Sequence, residues 1–253
     1  VYIASYDEDG AVYRVRRDGA GAERWIDLVW PHDIATDAER VYVTTDAGVV
    51  AIPHDDPDAA EVLSSTFGGA GVGLTATRVV WAEYFGKAVR AVDKDGTGGV
   101  TLADLDASPF RLQVRGQRVV FTAHGLYELS LDNPTTSLVE PAPVRSFAIA
   151  DDGALWWSRN QGGSHEVVSE TGTLLYAGDT FVDGVLIDGD RLCAFATERI
   201  VHASLGGGEV AVLWEGDSLP GLFAQDGECL YAPIRPAADP DDIGALVRIA
   251  KPQ

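Results

Sequence analysis

The sequence lacks methionine altogether and contains little cysteine or lysine. Its 253 residues include 2 cysteines, and the lysines are Lys87, Lys94 and Lys251. A small fold held together by several disulfides is therefore excluded, and so is collagen, because glycine does not recur at every third position. No run of roughly 18 apolar residues occurs, which excludes an ordinary membrane-spanning helix. Since 46% of the residues are hydrophobic, the sequence predicts a globular protein with a packed core.

Positive charge is also scarce. The chain has 19 Lys and Arg against 39 Asp and Glu, a formal net charge of −20, and the acidic residues are spread along its length. Such a charge repels phosphate backbones and anionic membranes, so neither nucleic acid nor a membrane is an expected partner. The dispersed acidic residues are expected to form a solvated surface that keeps the protein soluble.

A short apolar segment recurs along the chain at a nearly constant interval. Each copy follows a polar turn and alternates in the manner of a strand, as in RVYVTT, RVVWAE and RVVFTA. The first apolar residues of the copies are Val1, Val41, Val79, Val119, Leu155, Leu192 and Leu230, which lie 36 to 40 residues apart. A period this steady predicts a repeat architecture.

Each period holds four strand-like segments separated by turns rich in Gly, Asp and Pro, with no long helical pattern. We label these strands A to D in chain order, with A innermost. Four antiparallel strands in roughly 40 residues predict one blade of a β-propeller. The predicted fold class is therefore all-β, and residues 1–253 are expected to form a single β-propeller domain.

The number of blades is predicted from the strand count. The periods provide seven B and seven C strands, but the first period lacks strand A and the last lacks strand D. Seven blades are therefore predicted. A six-bladed ring would have to expel one B–C hairpin, and it remains the alternative. Aromatic residues of the B strands, such as Tyr42, Trp81 and Phe121, are expected to pack between neighbouring blades.

The repeat unit resembles those of known bacterial propellers. Residues 31–52 follow the pattern P-x-x-I-A-x-D-x-x-x-V-Y-V-T-T…G-V-V-A-I. This pattern is similar to the P-x-G-I-T…L-W-F-T-E repeats of the seven-bladed virginiamycin B lyase type. It is also similar to secreted, uncharacterised bacterial propellers with V-Y-W-T-N and V-P-x-D-G-G elements. The likeness lies in residues that build the repeat, so it implies the fold and not an activity.

Two features predict an extracytoplasmic bacterial protein that is secreted, periplasmic or surface-attached. The resemblance is to secreted proteins, and the start at Val1 instead of Met predicts that a preceding segment was removed. The cysteines do not decide the compartment. Cys193 and Cys229 are expected to lie on the same face of their respective repeats, whereas two adjacent blades contact each other through opposite faces. This placement disfavours a disulfide between them and predicts two buried thiols.

Motifs for metal binding and nucleophilic catalysis are weak or missing. The segment Asp93-Lys94-Asp95-Gly96 begins like a calcium loop, but its twelfth position is Asp104 and not the bidentate Glu of such loops. A C-to-D turn is the main interpretation, and a weak cation site at Asp93 and Asp95 is the alternative. There is no G-x-S-x-G, H-E-x-x-H or C-x-x-C motif. No cofactor is therefore expected, with Mg²⁺ or Ca²⁺ left open.

Candidate ligand-binding residues come from the loops that should surround the mouth of the central channel. These are the D-to-A and B-to-C connections, which emerge on one face of a propeller and are polar and aromatic here. The D-to-A connections offer Trp30, His32, Asp33, Phe110, Arg111, Arg145 and Asp183, and the B-to-C connections offer Glu83, Tyr84, His124, Arg159 and Glu198.

Two function classes follow. The first, which we favour, is a non-catalytic binding or interaction module whose ligand is a small molecule, glycan, peptide or protein held at the channel mouth. The alternative is a lyase-like or hydrolytic enzyme. Pro31-His32-Asp33-Ile34 is similar to a P-H-x-I variant of the lyase repeats, and this resemblance implies His32 as the general base.

Overall fold

The computed structural model describes residues 1–6, 9–16, 21–216, 224–225, 229–234 and 245–250. These residues are almost entirely in β-strands, and the helical structure among them is a 3-10 turn at Pro57–Ala59. The prediction of an all-β fold is therefore confirmed. The chain divides into two compact units, Val1–Pro141 and Ala142–Gln253.

Unit 1 contains four antiparallel sheets, each built from strands that are consecutive in the chain. Sheet 1 comprises β1 (Tyr2–Ser5), β2 (Ala11–Val15) and β3 (Ala22–Asp27), and sheet 2 comprises β4 (Pro31–Thr36), β5 (Arg40–Thr45), β6 (Gly48–Pro53) and β7 (Glu61–Ser64). Sheet 3 comprises β8 (Gly69–Leu74), β9 (Arg78–Glu83), β10 (Ala88–Asp93) and β11 (Val100–Asp104). Sheet 4 comprises β12 (Leu112–Arg115), β13 (Arg118–Ala123), β14 (Gly125–Ser130) and β15 (Thr136–Glu140).

Unit 2 contains three sheets of the same kind in its described residues. Sheet 5 comprises β16 (Phe147–Ile149), β17 (Leu155–Gln161), β18 (Ser164–Ser169) and β19 (Leu174–Gly178). Sheet 6 comprises β20 (Val182–Asp188), β21 (Arg191–Ala196), β22 (Arg199–Ser204) and β23 (Ala211–Glu215). Sheet 7 comprises β24 (Ala224–Gln225), β25 (Cys229–Ile234) and β26 (Ala245–Ala250).

The strands follow the predicted A-to-D order. In the described residues, sheet 1 consists of strands B, C and D, and sheet 7 of strands A, B and C. The predicted lack of strand A at one end of the chain and of strand D at the other is therefore found in this part of the structure. The other five sheets each have four strands.

Alternate side chains of a B strand can pack toward opposite neighbouring sheets, as β9 shows. In β9 of unit 1, Val79 and Trp81 join Tyr42 of sheet 2 in one buried cluster. Val80 of the same strand packs with Phe121 of sheet 4 in another. Because strand side chains alternate between faces, one apolar strand serves two interfaces. The predicted packing of B-strand aromatics between sheets is confirmed for these residues.

Unit 2 is built on the same principle. Trp156 of sheet 5 and Leu192 of sheet 6 belong to one buried cluster. Cys193 packs on the opposite side of the same strand with Phe195 and with Leu230 of sheet 7. The Cys193 side chain is buried, as expected. The side chain of Cys229 lies outside the described part of the structure.

Candidate functional site

The B-to-C turn and the loop entering strand A lie at the same end of each four-stranded sheet. In sheet 2, for example, Pro31 at the start of β4 pairs with Thr45 at the end of β5. Consecutive antiparallel strands make this arrangement inevitable. We call this end of a sheet its turn-bearing end. All of the predicted ligand-binding residues lie at or beside the turn-bearing end of their sheet.

His32 of β4 is held by a carboxylate of the next turn. Its Nε2 lies 2.8 Å from Oδ1 of Asp46, in the B-to-C turn of sheet 2. The imidazole also contacts the ring of Tyr6, with centroids 4.6 Å apart, and Tyr6 contacts Trp30 at 4.9 Å. The pairing with Asp46 fixes the orientation of the His32 ring.

Asp33 connects sheet 2 to sheet 3. Its Oδ2 accepts a hydrogen bond of 2.9 Å from the backbone N–H of Val72 in β8, and its Oδ1 accepts one of 2.9 Å from Ile34 N–H. Burial raises the pKa of Asp33 to about 6, while these two donors and the charges of Arg111 and His32 oppose the rise. The structure thus brings three predicted residues, His32, Asp33 and Arg111, into one electrostatic neighbourhood.

Two other predicted residues of unit 1 have different surroundings. Glu83 is 5% exposed, and its Oε2 accepts a hydrogen bond from Nε of Arg90 in the adjacent strand. This carboxylate is therefore engaged inside sheet 3. His124 is exposed and forms the turn between β13 and β14 with a φ of 65°. That left-handed conformation is uncommon for residues other than glycine and turns the chain sharply.

Tyr84 belongs to a group of exposed aromatic side chains, which we call the aromatic cluster: Phe67, Tyr84, Phe85 and Phe110. Phe67 and Phe85 stack with centroids 5.0 Å apart, Tyr84 contacts Phe85 edge-on at 5.2 Å, and Tyr84 lies 6.4 Å from Phe110. The exposed fractions range from 42% for Tyr84 to 62% for Phe67. The cluster therefore presents a continuous apolar surface to solvent.

Backbone hydrogen bonds hold the loops that carry the cluster. Gly68 N–H donates to Asp46 O at 2.8 Å, and Tyr84 N–H donates to Gly68 O at 2.7 Å. On the other side, Phe110 N–H donates to Thr122 O at 2.9 Å. The aromatic rings are thus displayed from fixed backbone positions. Sequence reasoning missed Phe67 and Phe85, although both occupy the same loop slots that pointed to Phe110 and Tyr84.

Three predicted residues of unit 2 form ion pairs, namely Arg145, Arg159 and Asp183. Arg145 Nη1 lies 3.0 Å from Asp183 Oδ1, and its guanidinium lies over the ring of Phe181, 4.2 Å from the centroid. Arg159 donates from Nε to Glu166 Oε2 at 2.9 Å. Arg145 and Asp183 are therefore brought together as a pair. Phe181 and Glu166 were not anticipated, because their contacts join residues from different strands and loops.

Asp93 and Asp95 take part in the C-to-D turn of sheet 3. Asp93 Oδ1 accepts a hydrogen bond of 2.9 Å from Nε of Arg78. Asp95 Oδ1 accepts hydrogen bonds from the N–H and the hydroxyl of Thr97, at 2.9 and 2.7 Å. The turn interpretation is confirmed by the positions of β10 and β11 on either side.

Among the residues that the structure describes, no group of three or more His, Cys, Asp or Glu side chains is arranged to hold a metal ion. No helix in this part of the chain has the length and apolar character needed to cross a membrane.

Comparisons with known proteins identify the fold. No protein-family model and no curated protein sequence matches the chain. Among solved structures, a catalytically inactive form of virginiamycin B lyase from Staphylococcus aureus, solved with quinupristin, is similar with a TM-score of 0.67 and 11% identity, over 91% of this chain and 90% of that chain. A chain of a nidogen–laminin complex is similar with a TM-score of 0.62 and 12% identity, over 81% and 89%.

A third similar structure is PorZ of Porphyromonas gingivalis, a bacterial surface component of the type-IX secretion system. It matches with a TM-score of 0.61 and 16% identity, over 80% of this chain and 31% of that chain. Identities this low carry information on the fold alone. The structural similarities, together with the consecutive antiparallel sheets, show that the chain has a β-propeller fold.

Proposed function

We propose that this protein is a non-catalytic interaction module, a seven-bladed β-propeller domain that works outside the cytoplasm and binds a protein partner at its turn-bearing end. The observation that carries this proposal is the aromatic cluster of unit 1. Exposed apolar patches of this kind mark protein interaction sites, and aromatic residues dominate the energy of such sites. The extracytoplasmic location is supported by the similarity to a bacterial surface component and to a nidogen–laminin complex.

The fixed backbone of the cluster supports binding by a preformed surface. The loops of Gly68 and Phe110 are each tied by hydrogen bonds to neighbouring chain segments. Binding then requires little ordering of the loops, which lowers its entropic cost. The partner's chemistry follows from charge. With a net charge of −20, this chain favours a partner whose apolar contact is surrounded by basic residues.

A selection from a displayed library of random dodecapeptides tests the proposal. We expect the selected peptides to combine aromatic residues with Lys or Arg. The affinity of these peptides should fall at least about tenfold for a variant with Phe85→Ser and Phe110→Ser. Truncating an aromatic hot-spot residue typically removes about 2 kcal/mol of binding free energy. The matched control is Val62→Ser, at an exposed apolar position in β7. Peptides that bind the double variant and the original protein equally well would overturn the proposal.

A second candidate function is a lyase with His32 as the general base, and the pairing of His32 with Asp46 favours it. A carboxylate that orients an imidazole is a common feature of general bases. Cyclic depsipeptides and esters with acidic protons are suitable test substrates, with and without Mg²⁺. Turnover that falls about 10²- to 10⁴-fold in His32→Ala would establish catalysis. Turnover that is absent, or unchanged in this variant, rejects His32 as the base.

A further inference from the structure

Unit 2 contains a pocket of about 270 Å³ at its turn-bearing end. Its lining combines cationic, amide and apolar side chains from two loops and three strands: Pro143, Arg145, Ser158, Arg159, Asn160, His165, Phe181 and Val182. The volume corresponds to about nine water molecules of liquid, enough for a small organic molecule. The pocket is formed by residues of unit 2, whereas the aromatic cluster is formed by residues of unit 1.

His165 is the first sign that this pocket is built for a ligand. The residue is 8% exposed, and its ring packs on Phe181 with centroids 4.1 Å apart. Its imidazole nitrogens make no hydrogen bond to any group in the described part of the chain, although its backbone pairs normally in β18. Neither nitrogen is among the buried side-chain atoms that lack a partner in the described residues, so both remain accessible. Because His165 lines the pocket, these nitrogens are available for a hydrogen bond with a ligand there.

The two arginines supply further donors. Arg145 uses Nη1 for Asp183, and Arg159 uses Nε and Nη2 for Glu166. A guanidinium has five N–H donors, so each arginine keeps donors beyond its ion pair. The two arginines of the pocket are balanced by two carboxylates, so the net charge of these four side chains is close to zero. The pocket therefore suits a ligand with one negative charge better than a ligand with two.

The net charge of the whole chain does not preclude an anion here. At physiological ionic strength, exposed charges farther away than about 8 Å are largely screened, so the nearest groups dominate. Those groups are two guanidinium ions and the two carboxylates paired with them, so no large negative charge lies close by. The guanidinium N–H donors that the pairs leave unused lie in a plane, a geometry that matches a carboxylate. Phe181, Val182 and Pro143 add apolar surface that a bare inorganic ion would not use.

We propose that this pocket binds a small organic monocarboxylate. Arg145 and Arg159 hold the carboxylate, and His165 and Asn160 donate further hydrogen bonds to it. The apolar part of the ligand rests on Phe181 and Val182. This site goes beyond the proposed protein-binding function and does not depend on it.

Titration with benzoate, followed by NMR of the histidine ring signals in the intact chain, tests the proposal. Benzoate has about nine non-hydrogen atoms and fits the pocket volume. We expect saturable shifts of the His165 signals with a dissociation constant on the order of 1 mM, a value reasonable for so small a ligand. Inorganic phosphate, the dianionic probe, should bind more weakly than benzoate.

Variants locate the binding. Arg145→Gln should weaken benzoate binding at least about tenfold, because a charge-assisted pair of hydrogen bonds is lost. Arg145 is 56% exposed, so this change should leave the fold intact. Arg78→Gln, which removes an arginine from a similar ion pair in unit 1, is the matched control and should bind normally. The double variant of the aromatic cluster should also keep benzoate binding.

Three results would overturn the proposal. They are an absence of His165 shifts up to about 20 mM benzoate, unchanged affinity in Arg145→Gln, and tighter binding of phosphate than of benzoate. None of these results depends on whether peptides bind the aromatic cluster, so the two proposals fail or succeed separately.

Discussion

At the scale of single residues, Asp33 shows how one carboxylate can join two sheets at an energetic cost. Its two oxygens accept backbone hydrogen bonds from Val72 and Ile34, yet burial raises its pKa to about 6. Burial disfavours the charged carboxylate more strongly than the hydrogen bonds favour it. Asp33 therefore links sheets 2 and 3, but its burial makes ionisation of its carboxyl group less favourable.

A raised pKa in the folded state makes the Asp33 contribution to stability greater at low pH. The contribution is complete below the unfolded pKa of 3.8 and is lost as pH rises through about 6. On lowering the pH from about 8 to about 5, we expect Asp33 to add on the order of 1 kcal/mol to the free energy of unfolding. Asp33→Asn should remove this increment, as measured by urea denaturation at both pH values. An identical pH dependence in the variant would show that Asp33 ionises freely.

At the scale of strands, a register shift recurs in the C–D pair of every sheet that has a described strand D. In sheets 2 and 3 it lies between Val49 and Val50 and between Val89 and Arg90. In sheet 4 it lies between Leu126 and Tyr127. Such bulges increase the local twist of a strand pair. The repeated shift gives the outer parts of the sheets a common twist, which neighbouring sheets must share to pack face to face.

Gly48 begins strand C of sheet 2 and is one position where the backbone admits no side chain. Its φ is +134°, and a Cβ atom there would lie 1.9 Å from the backbone oxygen of Ser64 in β7. Gly48→Ala should therefore lower the free energy of unfolding by about 2 kcal/mol or more, measured by urea denaturation. Gly99→Ala is the control, since a Cβ at Gly99 meets nothing within 4 Å, and it should change stability little. Equal effects of the two substitutions would contradict this interpretation.

At the scale of the whole molecule, the dominant electrostatic feature is the net charge of −20. Charges of one sign repel each other more strongly in the compact state, and salt screens this repulsion. Salt also weakens exposed ion pairs, but each of these contributes only about 0–1 kcal/mol. We expect the melting temperature to rise by about 2–4 °C between low and moderate NaCl, the effect of roughly 1 kcal/mol in a chain of this length. A melting temperature that falls with added NaCl, measured by calorimetry, would show that local ion pairs dominate.

The sequence by itself determined the all-β class, the repeat period and the order of strands A to D. It also predicted the lack of strand A in sheet 1 and of strand D in sheet 7 that the described residues show. It could do so because these features are local. Alternation of apolar residues and the placement of turns are written within each period of about 40 residues. The D-to-A and B-to-C connections could likewise be located from the sequence. They pointed to His32, Asp33, Tyr84 and Arg145 as candidate ligand-binding residues without any knowledge of their contacts.

Only the tertiary structure decided which of these residues meet. Whether Glu83 is available or is paired with Arg90 depends on the register of β9 and β10. Phe85 joins the aromatic cluster because a loop from another strand brings Phe67 against it. His165 borders a pocket because Phe181, 16 positions later in the chain, folds back over its ring. These contacts are set by loop conformation and packing between repeats, which a periodic pattern does not encode.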